Sequence, residues 1–203
     1  MKQLLHALFL FFISGTALLA QSDTTYTLLE DERTPRVHFL LGLNAEFGGE
    51  SIIELELEDG STSETNAGQG GSLFAGARVD LLDGLSFDGS LGIKYVTTPV
   101  ENVDFRFLRF PLQGMLRYEA DFGGFIASGF TKHLGSNLKI SEGGGILPEG
   151  KIDFESNLGI RIEAGWKYIG LSYTLLKYRG DNGNGPDIDA NAVGLSIRYA
   201  FGG

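Results

Sequence analysis

Apolar and polar residues alternate at period two through most of this chain, and no other feature leaves so few folds open. Val37, Phe39, Leu41, Leu43, Ala45 and Phe47 are apolar, with His38, Asn44 and Glu46 between them. Successive side chains of a strand point to opposite faces, so these six share one face. Leu73, Ala75, Ala77, Val79 and Leu81 repeat the pattern around Ser72, Arg78 and Asp80, and Asp83-Gly84 then supplies a tight turn. Leu85, Phe87, Gly89, Leu91, Ile93 and Tyr95 run back, interleaved with Ser86, Asp88, Ser90 and Lys94. Further strands carry Leu108 to Tyr118 against Arg109, Pro111, Gln113, Met115 and Arg117, and Ile152 to Trp166 against Asp153, Glu155, Asn157, Arg161 and Glu163. Ile169 to Leu175 and Val193 to Phe201 complete the clear set, the latter with Ser196 and Arg198 on its reverse. A segment from Phe122 to about Leu134 reads as a strand whose phase is undetermined, which brings the count to eight.

Connections are short around Asp83, Glu119 and Lys167, and long across 48–71, 137–150 and 180–190. Together with the alternation, that rhythm predicts an all-β fold, an eight-stranded antiparallel up-and-down transmembrane β-barrel with its long loops on one side. Ile53, Leu55 and Leu57 alternate with Glu54, Glu56 and Glu58, so the first long loop is expected to hold a projecting strand or a separate hairpin.

Soluble barrels and sandwiches also alternate, and the polarity of the second face separates them from a membrane barrel. On this register that face holds Glu46, Asp80, Asp88, Asp153, Glu155 and Glu163 with Arg78, Lys94, Arg109, Arg117, Arg161 and Arg198. Six acids and six bases are costly to bury in the core of a water-soluble sandwich. Inside a narrow barrel whose outer face meets lipid they pair with one another and with trapped water. Replacing Arg161 by Leu is accordingly expected to weaken folding by about 3–5 kcal/mol. Aromatic residues collect near strand ends, Phe39, Phe87, Tyr118, Phe122, Trp166, Tyr168, Tyr199 and Phe201, with Leu85, by the short turns and Phe47, Phe74, Tyr95, Phe105, Phe107 and Tyr178 by the long loops. Two such belts suit the two membrane interfaces.

Upstream of the strands, Lys2, the apolar stretch Leu4 to Ile13 and the small residues Ser14 to Ala17 follow the order of a secretory signal peptide, with cleavage expected after Ala20. Residues 21–35 form a polar lead-in, and 36–203 form the barrel. The absence of Cys excludes disulfides, thiolate zinc sites and a cysteine nucleophile. The 30 Gly argue against a helical bundle, and a net charge of -10 argues against binding nucleic acid. That excess lies outside the second face; residues 48–71 hold six acids and no base. These acidic outer loops read as solubilising, with a basic protein or a cation as the alternative partner.

FLRFPLQGMLRY (Phe107 to Tyr118), DFESNLGIRIEAGWKYIGLSYTLLKYRG (Asp153 to Gly180) and VGLSIRYAF (Val193 to Phe201) resemble the strand signatures of the outer membrane β-barrel domain family of Bacteroidetes, the PorT-like group, and so an OmpA-like eight-stranded barrel. The resemblance covers roughly residues 36–203 and implies location in the cell outer membrane, contact with its lipid and insertion by the barrel assembly machinery. It implies no catalytic residue and no cofactor.

Chemistry is sparse otherwise. His133, Ser136 and Glu142 are near in sequence, as in a lipid-modifying triad, but nothing in their spacing ties the His to the Ser. Asp187, Asp189 and Asn191 open like a calcium loop, yet Ala192 stands where the turn Gly belongs and Arg198 where the bidentate Glu belongs. The expectation is a non-enzymatic outer membrane protein with a structural or interaction role through its outer loops. The alternatives are a narrow porin-like channel, a lipid-modifying enzyme, an accessory protein of secretion or envelope assembly, and a soluble periplasmic ligand-binding barrel.

Overall fold

The computed structural model describes residues 36–56, 62–97, 103–143, 149–180 and 185–202. The targeting segment 1–20, the lead-in 21–35 and the pair Leu57 and Glu58 lie outside them.

The described chain is all-β, an antiparallel up-and-down sheet without a helix. Its strands are β1 (Val37–Phe47), β2 (Ser51–Glu56), β3 (Thr62–Asn66), β4 (Gly70–Leu82), β5 (Leu85–Thr97), β6 (Val103–Glu119), β7 (Gly124–Gly143), β8 (Gly150–Ser156), β9 (Gly159–Trp166), β10 (Ile169–Leu175), β11 (Lys177–Gly180), β12 (Asp187–Asp189) and β13 (Ala192–Phe201). The main sheet runs β12-β11-β8-β7-β6-β5-β4-β1-β13-β10-β9, while β2 and β3 form a separate hairpin within the first long connection. β7 pairs with β9 as well, so the hydrogen-bonded ladder returns upon itself.

Its register can be followed from partner to partner. Val37 lies opposite Val79, Val79 opposite Phe87, Phe87 opposite Leu116, Leu116 opposite Ser128 and Ser128 opposite Ile162. Ile162 faces Tyr173, Tyr173 faces Val193, and Val193 faces Phe47, ten residues beyond the start on the same strand.

Burial is inverted relative to a water-soluble protein. Leu41, Leu43, Leu91, Ile93, Ile160, Ile162, Leu195 and Ile197 are exposed, whereas Asn44, Asp88, Lys94, Arg161, Glu163, Ser196 and Arg198 are buried. On β10 the contrast falls between neighbours, Leu171 at 64% exposure and Ser172 at 4%. On β5, β9, β10 and β13 the alternation therefore turns the polar parity inward.

Among the described residues, buried apolar side chains cluster at the long-loop end. There Ile53, Ala67, Phe105, Phe107, Leu138, Ile140, Leu176, Tyr178 and Ala190 cluster, with Phe154 packed against them. The inward face of β6 thus changes from charged to aromatic between Arg109 and Phe107, and the β2–β3 hairpin supplies Ile53 as part of the cover.

Two strands depart from the sequence reading, and one physical cause serves both. β7 begins at Gly124 and runs to Gly143, with Phe125, Ala127, Thr131 and His133 inward and then Ser136, Leu138 and Ile140 inward. Its parity switches at Gly135, whose φ of 54° places an extra residue in the strand as a bulge. The segment expected as one strand from Ile152 to Trp166 is interrupted at Asn157 and Leu158, where it slips by one residue between β8 and β9. Asp153 and Glu155 are consequently exposed, not enclosed with Arg161 and Glu163.

Candidate functional site: the enclosed ion-pair network

The inward parity of β1, β4, β5, β9 and β13 brings charges from distant parts of the chain into one connected array. Glu46, near the end of β1, accepts from Lys94 Nζ of β5 at 2.5 Å and from Arg161 Nη1 of β9 at 2.5 Å, and Thr174 Oγ1 donates to it at 3.2 Å. Arg161 Nη2 also reaches Asn44 Oδ1 at 3.3 Å and Glu163 Oε2 at 3.4 Å. Glu163 accepts in turn from Ser196 Oγ at 2.8 Å and Arg198 Nη2 at 3.1 Å. The other arm of Arg198 donates to Asp88 at 3.3 Å, and Asp88 is gripped by Arg78 through Nε at 2.7 Å and Nη2 at 2.9 Å. The relay Lys94–Glu46–Arg161–Glu163–Arg198–Asp88–Arg78 is unbroken. Each carboxylate in it serves two cations, which offsets the desolvation that a single buried pair repays poorly.

The remaining members of the expected set sit around this relay. Arg117 is buried, pairs with Glu119 at 2.8 Å and stacks over the Phe125 ring at 3.5 Å. Asp80 is at the rim, its side chain 41% exposed, and accepts from His38 Nε2 at 2.9 Å. Asp153 pairs with Lys151 at the surface, and Glu155 lines two shallow clefts of about 360 and 250 Å³ on either side of Ser156. Arg109 is fully buried and meets main-chain carbonyls, donating to Ala67 O at 2.7 Å and Gln69 O at 2.6 Å beside the Phe107 ring. Lys94 does likewise with its second bond, to Gly68 O at 2.5 Å. No pairing of charges in the sequence points to those acceptors; the signal that was available is the Gly-rich turn at 66–71.

No family model and no curated protein matches this chain.

The other chemical candidates are drawn into structural bonds. His133 is buried, its Nδ1 hydrogen-bonded to the Tyr178 hydroxyl, and its backbone N–H and C=O are both satisfied by Ser156 Oγ at 2.9 Å, which bridges the break in the ladder opposite the bulge. Ser136 is buried near Tyr178 and is not hydrogen-bonded to the imidazole; the side chain of Glu142 lies outside the described residues. Of the calcium-loop residues, Asp187 pairs with Arg179 at 2.7 Å and Asp189 with Lys177 at 3.1 Å, while Asn191 Oδ1 accepts from Leu176 N at 3.0 Å. The Asp189 carboxylate holds the Lys177 ammonium above its ordinary value.

Proposed function

We propose that this chain is an outer membrane β-barrel of eight strands, β1, β4, β5, β6, β7, β9, β10 and β13, acting as a structural or interaction protein through its long-loop end. The observation that carries the reading is the inverted burial. A belt of exposed Leu, Ile, Val and Phe surrounds a set of buried ionised groups, and lipid is the solvent in which that arrangement is stable. A register rise of ten residues around eight strands corresponds to a tilt of roughly 40° at ordinary strand spacings, within the range of narrow barrels that side chains fill. Trp166, Tyr168, Tyr199 and Phe201 are exposed beside the short turns, suiting an interfacial belt on the periplasmic side. The likeness of three strands to the Bacteroidetes barrel family and the signal-like first twenty residues agree with export to the outer membrane and insertion by the assembly machinery.

In this reading β2, β3, β8, β11 and β12 build a folded rim outside the bilayer, with Glu54 and Glu64 opposed on the hairpin and Lys177, Arg179, Asp187 and Asp189 paired on the next. That rim is the surface for a basic protein or cationic partner. The test is migration of the detergent-extracted protein before and after boiling, together with fractionation. A compact band that shifts on heating, recovered with outer membranes, is the expected result; recovery in the soluble periplasmic pool refutes the reading.

A further inference from the structure

We infer that the cleft where β7 parts from β8 and β9 binds the phosphoethanolamine headgroup of an outer-leaflet lipid, with the phosphate on Lys132 and the ammonium on Glu155. This rests on the barrel reading above and adds to it a ligand and a site.

The cleft comes from a gap in the wall. Thr131 lies opposite Gly159 and Ser136 opposite Phe154, so residues 132–135 have no register partner on that side. The opening left there has a volume of about 360 Å³ and is lined by Lys132, Leu134 and Gly135 of β7 and by Asp153 and Glu155 of β8. Leu134, Asp153 and Glu155 are exposed, and Lys132 is half-buried on the outward parity of β7.

Lys132 stands in apolar surroundings. Leu112 is opposite it on β6, and Phe130 and Leu134 are its outward neighbours along β7, all three exposed apolar residues of the proposed lipid belt. A Lys on a lipid-facing wall is unfavourable unless its stem carries the ammonium up to the headgroups. Leu112 pairs in turn with Leu91, four residues short of Tyr95 in the aromatic belt at the long-loop end, which sets Lys132 just beneath that interface. Among the described residues no acid forms an ion pair with Lys132 and no base forms one with Glu155. Arg179, opposite Glu155, is turned to Asp187 at 2.7 Å, and Asp153 is held by Lys151 at 2.8 Å.

Two unpaired charges of opposite sign thus line one cleft without bonding each other. β8 belongs to the rim beyond the bilayer, so the carboxylate lies on the water side of the lysine. A ligand that satisfies both carries its anion near the acyl chains and its cation farther out. Phosphoethanolamine lipids have that polarity, with a phosphate ester close to the chains and a primary ammonium of three N–H donors extending toward water. A headgroup that is only anionic meets Lys132 but faces Glu155 and Asp153 without a cation.

Native mass spectrometry of the refolded full-length protein in nonionic detergent, mixed with dioleoyl phosphatidylethanolamine or dioleoyl phosphatidylglycerol, tests this. Retention of the ethanolamine lipid is expected to exceed that of the glycerol lipid about threefold to fivefold, the scale of one exposed charge pair. Lys132→Gln lowers retention of both lipids. Glu155→Gln lowers that of the ethanolamine lipid alone, whereas a loosened fold would lower both together. Equal retention of the two lipids by the wild type, or a Glu155→Gln variant that keeps the preference, overturns the proposal. Displacement of the bound lipid by an equal concentration of free O-phosphoethanolamine assigns the cleft to a soluble ligand and overturns it as well. Heat-modifiable migration of the same samples separates the two readings: a wild type that shifts on heating but lacks the preference refutes the site alone, and one that does not shift refutes the barrel and the site with it.

Discussion

Glu46 is the position at which the interior can be broken most cleanly. It is 4% exposed and is the carboxylate shared by Lys94 and Arg161. Glu46→Leu leaves Lys94, itself 1% exposed, with Gly68 O as its acceptor, and leaves Arg161 with Glu163 at 3.4 Å. Stranding a buried charge in this way costs about 3–5 kcal/mol. Arg161→Leu is milder than the bare sequence suggests, because Glu46 retains Lys94 and Glu163 retains Arg198 and Ser196. Its cost falls to about 1–3 kcal/mol, that of leaving part of a hydrogen-bonded network unmet. Combining Glu46→Leu with Lys94→Met removes the stranded ammonium and should restore about 1–3 kcal/mol as a coupling energy. Urea unfolding of the refolded protein, read through its single tryptophan at Trp166, gives each value by linear extrapolation. If Glu46→Leu costs less than about 0.5 kcal/mol, or less than Arg161→Leu, the shared-carboxylate account is wrong.

Other expectations test other links. Leu171→Arg, on the exposed parity of β10, should cost about 2–4 kcal/mol for folding in phospholipid vesicles; a water-facing site would shift by less than roughly 0.5 kcal/mol. Trp166 is 58% exposed with Nε1 bonded to Phe122 O at 2.9 Å, so its emission in bilayers should be blue-shifted and quenched more strongly by lipids brominated near the headgroup than by those brominated deep in the chain. Uniform quenching by aqueous iodide would refute the interfacial placement. Gly135→Ala forces a Cβ onto a φ of 54° and should destabilise by about 1 kcal/mol in the same urea titration, with no effect meaning that the bulge has relaxed elsewhere.

How far the sequence discloses this structure depends on where alternation survives. β1, β5, β10 and β13 keep one parity from end to end, and their outward and inward residues follow directly from counting by two. β7 does not, because Gly135 inserts a residue, and any single phase fitted across the segment has to fail on one side of it. The slip at Asn157 and Leu158 is harder to see, since an Asn in a polar position looks like an ordinary member of the alternation; unbroken counting by two therefore puts Asp153 and Glu155 inside, whereas they lie outside. Counting by two places the enclosed bases inward, Arg109 among them. The partners of Arg109 are not legible, because its acceptors are carbonyls of a turn that carries no compensating charge.

The two slips are one device seen from both sides of a ladder. A closed ladder tolerates a change of parity in one strand if its neighbour changes parity opposite it, and otherwise an apolar residue would be paired against an ionised one. β7 pairs with β9 below the slips, Thr131 opposite Gly159, and with β8 above them, Ser136 opposite Phe154, in one continuous register. Ser156 fills the interval by hydrogen-bonding His133 through its side chain, so the ladder loses geometry there without leaving that residue's backbone groups unmet. The same parity argument governs the circuit as a whole. The rise of ten residues between Val37 and Phe47 is even, so both ends of the walk are apolar and exposed. An odd rise would set the greasy parity of β1 against the ionic parity of its neighbour. The alternation in the sequence, the even register rise and the paired slips are therefore a single constraint, and each limits where the others can occur.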